Sequence, residues 1–387
     1  MIINIILFSI GLFMLIKGGD WFVDGATGIA RKLHLPEILI GATVVSIGTT
    51  LPEVMVSAQG ALQGSGDMAY GNAIGSIICN TSLIAAITIA IKPSKTDKRS
   101  MILPVCFFFG AVAFYSFIAY FFGTFYRWVG IVLLITFAVY MVINVLKAKN
   151  AMDDNRVNAE DTSESVKDST EEDKQGGGSD FLGFLLIGAA MIAAQIIMIF
   201  ATEETGFLSG AIGVIALAFG ILKAIFGKKL KLLNSNVLFL IIGAGVIAIG
   251  ADFLVDNGMA IAKAVGVPET VIALTFVALG TSLPELVTAV TSLIKGHGSL
   301  SLGNIIGANL FNLVLVSGVA TTLNPFDVPS GSTLFGHPMS LVLEIPLMIT
   351  VMLIMTIPPL IRGKLSRVQG IALLCFYAAF CAVQFVI

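Results

Sequence analysis

A chain of 387 residues that is 57% hydrophobic, only 12% charged and carries a net charge of −2 lacks the composition of a soluble globular domain, in which about a quarter of residues are charged. Its apolar runs approach the ~20 residues needed to cross a bilayer, so it reads as an all-α polytopic membrane protein. No nucleotide-binding loop is present, and neither nucleotide nor nucleic acid is expected as a partner.

In chain order, apolar spans fall near 2–30, 36–62, 68–91, 101–122, 127–147, 181–201, 207–227, 236–262, 268–295, 300–323, 339–360 and 368–387, predicting about 12 transmembrane helices. The first, MIINIILFSIGLFMLI, has no basic residue ahead of it and no small-residue cleavage site, so it is expected to be a helix and not a removable signal. Residues 150–180 hold ten acids, three bases and almost no large apolar residue, which predicts a disordered loop. Its acids lack the Gly-punctuated spacing of a calcium loop. Cys79, Cys106, Cys375 and Cys381 all lie inside apolar runs and read as buried packing residues.

Basic residues divide unevenly between the two sides. One set of connections collects 19 Lys and Arg, whereas the other holds only Arg127 and Lys263. Positive charge marks the cytoplasmic face, so both termini are expected outside and the acidic loop inside, in a plasma (cell inner) membrane.

The chain repeats itself. A shift of 232 residues aligns 18–82 with 250–314 without a gap, and 23 of the 65 positions are identical. Chance would give about five. GGDWFVDG pairs with GADFLVDN, IGTTLPE with LGTSLPE, and GNAIGSIICN with GNIIGANLFN. Seven predicted helices separate the starts of the two copies, and an odd number puts the second copy upside down. Inverted repeats with interrupted helices are how secondary transporters build a midplane site with alternating access.

Each copy places a glutamate directly after a proline in mid-membrane: Glu53 after Pro52, and Glu285 after Pro284. Proline lacks an N–H, so carbonyls of Gly48 and Thr49, and of Gly280 and Thr281, are expected to be freed as ligands. Ser46, Thr49, Thr50 and Glu53 share one helical face; Asn72, Ser76 and Asn80 form a second stripe. The other copy supplies Thr281, Ser282, Glu285, Asn304 and Asn312. Together these predict a cage of carboxylate, hydroxyl, amide and carbonyl oxygen. All-oxygen ligation favours hard cations such as Ca²⁺ or Na⁺. Two carboxylates match one Ca²⁺ or a pair of monovalent ions, which suits exchange of one for the other.

The stretches GTTLPE…GNAIGS…N and GTSLPE…GNIIGAN…N resemble the two α-repeats of the sodium/calcium exchanger family. The resemblance implies a ten-helix core of two inverted five-helix repeats, at 1–149 (α-repeat 36–91) and 234–387 (α-repeat 268–323). The 150–180 loop and a two-helix hairpin within 181–233 are inserted between them. It further implies counter-transport of Na⁺ against Ca²⁺, with no cofactor. Glu53 and Glu285 would bridge Ca²⁺ with the carbonyls of Thr49 and Thr281. Thr50, Ser76 and Ser282 would serve flanking Na⁺ positions, with Asn80 and Asn312 at the centre. Two departures stand out: Ala308 replaces the usual serine of the second GSN, and Asn312 stands where the potassium-dependent branch has Asp. Ser46, where Ala is common, is a partial substitute for the lost hydroxyl on the pseudo-symmetric side.

Other features point less directly. GSGD at 64–67 matches an intramembrane aspartyl protease pattern, but no second membrane aspartate accompanies Asp67. Asp20, Asp24, Asp252 and Asp256 suit either cation guidance or helix-end solvation. Lys17 is expected to snorkel or pair with Asp20, and Glu344 likewise has no repeat partner. His34, His297 and His337 lack metal spacing. The competing transport readings are H⁺/Ca²⁺ exchange, K⁺-dependent exchange and a passive cation channel.

Overall fold

The computed structural model describes residues 2–32, 37–93, 96–162, 235–264, 280–331 and 333–386. Ten helices carry the fold among them: α1 (Ile2–Lys32), α2 (Ile38–Leu62), α3 (Gly66–Ile91), α4 (Lys98–Phe122), α5 (Arg127–Thr162), α6 (Ser235–Ala264), α7 (Leu283–Ile294), α8 (Gly298–Leu323), α9 (Ser340–Arg362) and α10 (Arg367–Val386). Eight of the described helices contain a stretch long and apolar enough to cross a membrane, and Asn236–Gly250 and Leu283–Ile294 are shorter apolar segments. The chain is thus an integral, multi-pass membrane protein. The 181–201 and 207–227 hairpin lies outside the described residues, as does 163–180.

The acidic segment departs from expectation where it begins. Instead of ending near 147, α5 continues to Thr162. Residues 151–162, AMDDNRVNAEDT, contain no Gly or Pro, and adding a residue to a nucleated helix is far easier than starting one. High charge alone does not stop it.

The inverted repeat is visible in how α1 meets α6, its copy. The two pack antiparallel along most of their length. A Cβ on Gly18 would stand 3.0 Å from the Gly243 carbonyl, and one on Gly250 would stand 2.9 Å from the Gly11 carbonyl. Gly11 and Gly243 are copies of each other, as are Gly18 and Gly250, so these two contacts are mates under a pseudo-two-fold axis. Only residues without a Cβ let the backbones approach this closely. Further along the pair, a Cβ on Gly25 would meet Asn236 O and Leu240 N at 2.5 Å.

This pair forms its own hydrophobic cluster with the start of α2, built from Leu15, Phe22, Val23, Ile40, Val237 and Leu240. The main core lies elsewhere, among α2–α5 and α7–α10, with Ile74, Ile77, Phe108, Tyr115, Tyr140, Phe311 and Met352 buried in it. Asp97 caps α4. Its carboxylate accepts from the Ser100 hydroxyl and the Arg99 N–H, which hold it below the usual carboxylate range. Two-residue strands add to the bundle: β1 (Thr124–Phe125) pairs antiparallel with β2 (Phe326–Asp327) and ties the halves together, and β3 (Thr333–Leu334) pairs with β4 (His337–Pro338) in a hairpin within the second half.

Four described stretches are π-helical: Gly41–Val45 in α2, Asn80–Ala85 in α3, Asn312–Val316 in α8 and Ser340–Glu344 at the start of α9. Such turns insert one extra residue and gather at functional sites. Those at Asn80 and Asn312 begin at equivalent positions of the two copies.

The cysteines correct the sequence reading. Cys79 is buried, but Cys106 and Cys375 are exposed and Cys381 is intermediate; all four are free thiols. Apolar neighbours in sequence do not distinguish a core-facing position from a lipid-facing one.

Candidate ion-binding site

Helices α2 and α8 run parallel and nearly touch. A Cβ on Gly41 would stand 2.5 Å from Leu300 O and 2.9 Å from Asn304 N, and one on Gly307 would stand 2.7 Å from Ala42 Cα. The π turn of α2 is closed by Ser46 N–H bonding back to Gly41 O, and the Tyr140 hydroxyl of α5 donates to Ala42 O at 3.1 Å. This contact delivers Thr49 and Glu53 of the first copy to Asn304 of the second.

The cross-links are reciprocal. Thr49 Oγ1 lies 3.3 Å from Asn304 Oδ1, and its copy Thr281 Oγ1 lies 3.4 Å from Asn72 Oδ1, the copy of Asn304. Each repeat's threonine hydroxyl thus donates to the other repeat's asparagine. Asn72 Nδ2 also donates to Glu53 O at 3.0 Å and to Ser57 Oγ at 2.8 Å.

Glu53 and Glu285 are both 0% exposed, and neither carboxylate has a hydrogen-bond partner in the protein. The two helices that carry them, α2 and α7, pack against each other. Thr50, Ser282, Asn80 and Asn312 are equally buried, and their side-chain oxygens are also unpartnered. Buried polar atoms in proteins are nearly always satisfied, so a set of unpartnered oxygens around two carboxylates is the chemistry of a cation site. Ser76 is buried one turn before Asn80. Among the described residues no cluster of three His, Cys, Asp or Glu side chains offers an alternative centre.

Ser46 keeps the face it shares with Thr49, and both hydroxyls reach Asn304 Oδ1. The Ser46 hydroxyl lies 2.7 Å from Gly41 O, 3.0 Å from Asn304 O and 3.3 Å from Asn304 Oδ1, so it braces α2 against α8. The proline effect differs between copies. Helix α2 runs unbroken through Pro52, whose missing N–H leaves the Gly48 carbonyl without its usual donor. In the second copy Thr281 and Ser282 form a turn, and α7 restarts at Leu283 with Pro284 in its first turn, where no N–H is needed.

Sequence reasoning missed several buried polar groups here. Asn309 Nδ2 donates to Thr81 Oγ1 at 2.7 Å, while Asn309 Oδ1 has no partner. The hydroxyls of Thr288 and Ser292, on the Glu285 side of α7, are buried and unpartnered. Their copies are Ile77, Leu313, Val56 and Gly60, so a search for repeated polar positions passes over them. Asp67 is exposed and far from the protease context its motif suggested.

Two inverted copies that each contribute a membrane-buried carboxylate define a helical membrane transporter of the exchanger fold. The sequence profile of the sodium/calcium exchanger protein family matches residues 3–146 and 235–386, and the chain belongs to that family. It is 30% identical to the sodium/calcium exchanger MaX1 of Methanosarcina acetivorans over 396 residues, covering 100% of this chain and 99% of that one. It is 28% identical to the inner membrane protein YrbG of Escherichia coli, over 85% of this chain and 82% of that one. Its structure is similar to that of the sodium-calcium exchanger NCX_Mj soaked with Na⁺ and Sr²⁺, with a TM-score of 0.68 at 25% identity and 98% of each chain covered. The cation/calcium exchange expected from the motifs is supported by the family profile, by MaX1 and by NCX_Mj.

Proposed function

We propose that the protein is a secondary active antiporter that exchanges Na⁺ for Ca²⁺ by alternating access. The observation that carries this is the pair of fully buried, unpartnered carboxylates, Glu53 and Glu285, brought together from inverted copies. Two negative charges neutralise one Ca²⁺. Thr50 and Ser282, each three residues before a glutamate, add the neutral oxygens that a monovalent ion needs and a proton does not. The Thr49–Asn304 and Thr281–Asn72 bonds span the copies, so rocking one copy against the other must remake them.

Proteoliposomes loaded with Na⁺ and diluted into Na⁺-free buffer with trace Ca²⁺ are expected to accumulate Ca²⁺, with no requirement for K⁺ because Asn312 is neutral. Uptake driven by a proton gradient and not by Na⁺ would assign the protein to H⁺/Ca²⁺ exchange instead. Equilibration of Ca²⁺ without a counter-ion would make it a channel.

The distribution of Lys and Arg supports a cytoplasmic placement of the acidic segment and an external placement of both termini. The family match skips residues 147–234, so this segment lies outside the exchanger unit. Deleting 163–178 is expected to leave vesicle exchange activity unchanged. A well-folded deletion that no longer transports would show that the segment supplies or gates ions.

A further inference from the structure

Lys295 follows the last residue of α7, the helix whose first turn carries Glu285, and its ammonium reaches across to α1. It stands 2.8 Å from Asp24 Oδ1 and 3.4 Å from Asp20 Oδ1, and donates to the Asp20 carbonyl at 2.9 Å. Lys17 adds a longer ion pair, 3.7 Å from Asp20 Oδ2. Side chains of α7 press on the α1 backbone at this face: a Cβ on Gly19 would stand 2.6 Å from Val287 Cγ1 and 2.9 Å from Thr291 Oγ1. The hydrophobic cluster of the α1–α6 pair also takes in Ile40 and Val45 of α2 and Leu300 of α8, and Leu283 and Val287 of α7 pack against it. Lys295 therefore makes a charged tie between that pair and the helix bearing Glu285.

The repeat shows what stands at the opposite face. Asp20 and Asp24 correspond to Asp252 and Asp256, so both copies keep the acids. The cations are not kept: Lys295 corresponds to Gln63, and Lys17 to Ile249. In an inverted-repeat transporter the two access states arise by exchanging the arrangements of the copies. A contact made by Lys295 in one state then has Gln63 in its place in the other.

We propose that Lys295 is a one-sided latch, which through Asp20 and Asp24 holds the α1–α6 pair against α7 and biases the exchanger toward the state closed on the Lys295 face. The inference rests on the antiport reading above. A single exposed ion pair contributes little, but here one ammonium, with its side chain 23% exposed, is shared by two carboxylates and a carbonyl. Its loss frees the Lys295 face to open. The fraction of molecules competent to bind from that face rises, the fraction competent from the other face falls, and apparent affinities follow those fractions.

The test is half-saturating Ca²⁺ for Na⁺-driven exchange, measured separately at each face in right-side-out and inside-out vesicles. Lys295→Gln is expected to lower it at the Lys295 face and raise it at the other, so that the ratio between the faces changes by about two- to fivefold. Lys295→Arg should behave as wild type. Gln63→Lys, at an exposed position, should shift both values in the opposite sense, and it carries the test alone if Lys295→Gln does not fold. Working exchange with the ratio between faces unchanged in Lys295→Gln, or in Gln63→Lys where only that variant folds, overturns the latch. Absence of Na⁺-driven exchange in wild-type vesicles overturns the antiport reading, and the latch with it.

Discussion

Replacing either Glu53 or Glu285 with glutamine is expected to abolish Ca²⁺ exchange while leaving the protein folded. Each substitution removes one of the two charges set against a divalent ion. Removing one partner of a buried, oppositely charged contact costs about 3–5 kcal/mol, which for a carboxylate set against a cation corresponds to roughly a 10²- to 5 × 10³-fold loss. Because both carboxylates are fully buried without hydrogen-bond partners, a neutral amide at either position removes the cost of a desolvated charge. Thermal stability of the purified variants should therefore hold or rise, which separates loss of the site from loss of the fold. Asp67→Asn, at an exposed position, is the matched control and should transport normally. Normal Ca²⁺ flux in Glu53→Gln would remove the site assignment.

The second large effect is steric. Gly41→Val should prevent assembly of α2 against α8, because the new Cβ would meet Leu300 O at 2.5 Å and Asn304 N at 2.9 Å. Both atoms belong to a helix backbone and cannot rotate away. Overpacking of an ordinary core costs about 1–3 kcal/mol, and a collision with a rigid backbone exceeds that range. Loss of a monodisperse peak in detergent chromatography, with transport lost in parallel, is the expected outcome. Gly110→Ala provides the contrast: its Cβ meets nothing within 4 Å, and a helix gains up to about 1 kcal/mol from the exchange. Wild-type behaviour of Gly41→Val would show that the α2–α8 contact is looser than it stands here.

Much of this architecture was legible in the chain because it is written twice. The repeated LPE and GN stretches identified the helices that meet at the carboxylates. The repeated Gly11/Gly18 and Gly243/Gly250 spacing appears in the structure as the crossing of α1 and α6. What repetition cannot flag is a feature found in one copy only. Asn309 and Thr81 have apolar counterparts, and Ser46, whose hydroxyl joins that of Thr49 at Asn304 Oδ1, stands opposite Ala278 in the repeat. Nor does hydrophobicity separate lipid from protein interior, since lipid tails are as apolar as leucine, and so three of the four cysteines were misplaced. The extension of α5 to Thr162 escaped for another reason: a charged, polar segment was expected to be loop, yet a helix already formed continues through residues that would not start one.

The π-helical turns at Asn80–Ala85 and Asn312–Val316 also carry a history. An extra residue in the same place in both copies is most simply older than the duplication that produced them. The ancestral half therefore already carried this helix irregularity. From then on, a change in one copy altered one side of the transporter alone. Ser76 against Ala308, Ser46 against Ala278 and Gln63 against Lys295 are such divergences, each confined to one copy.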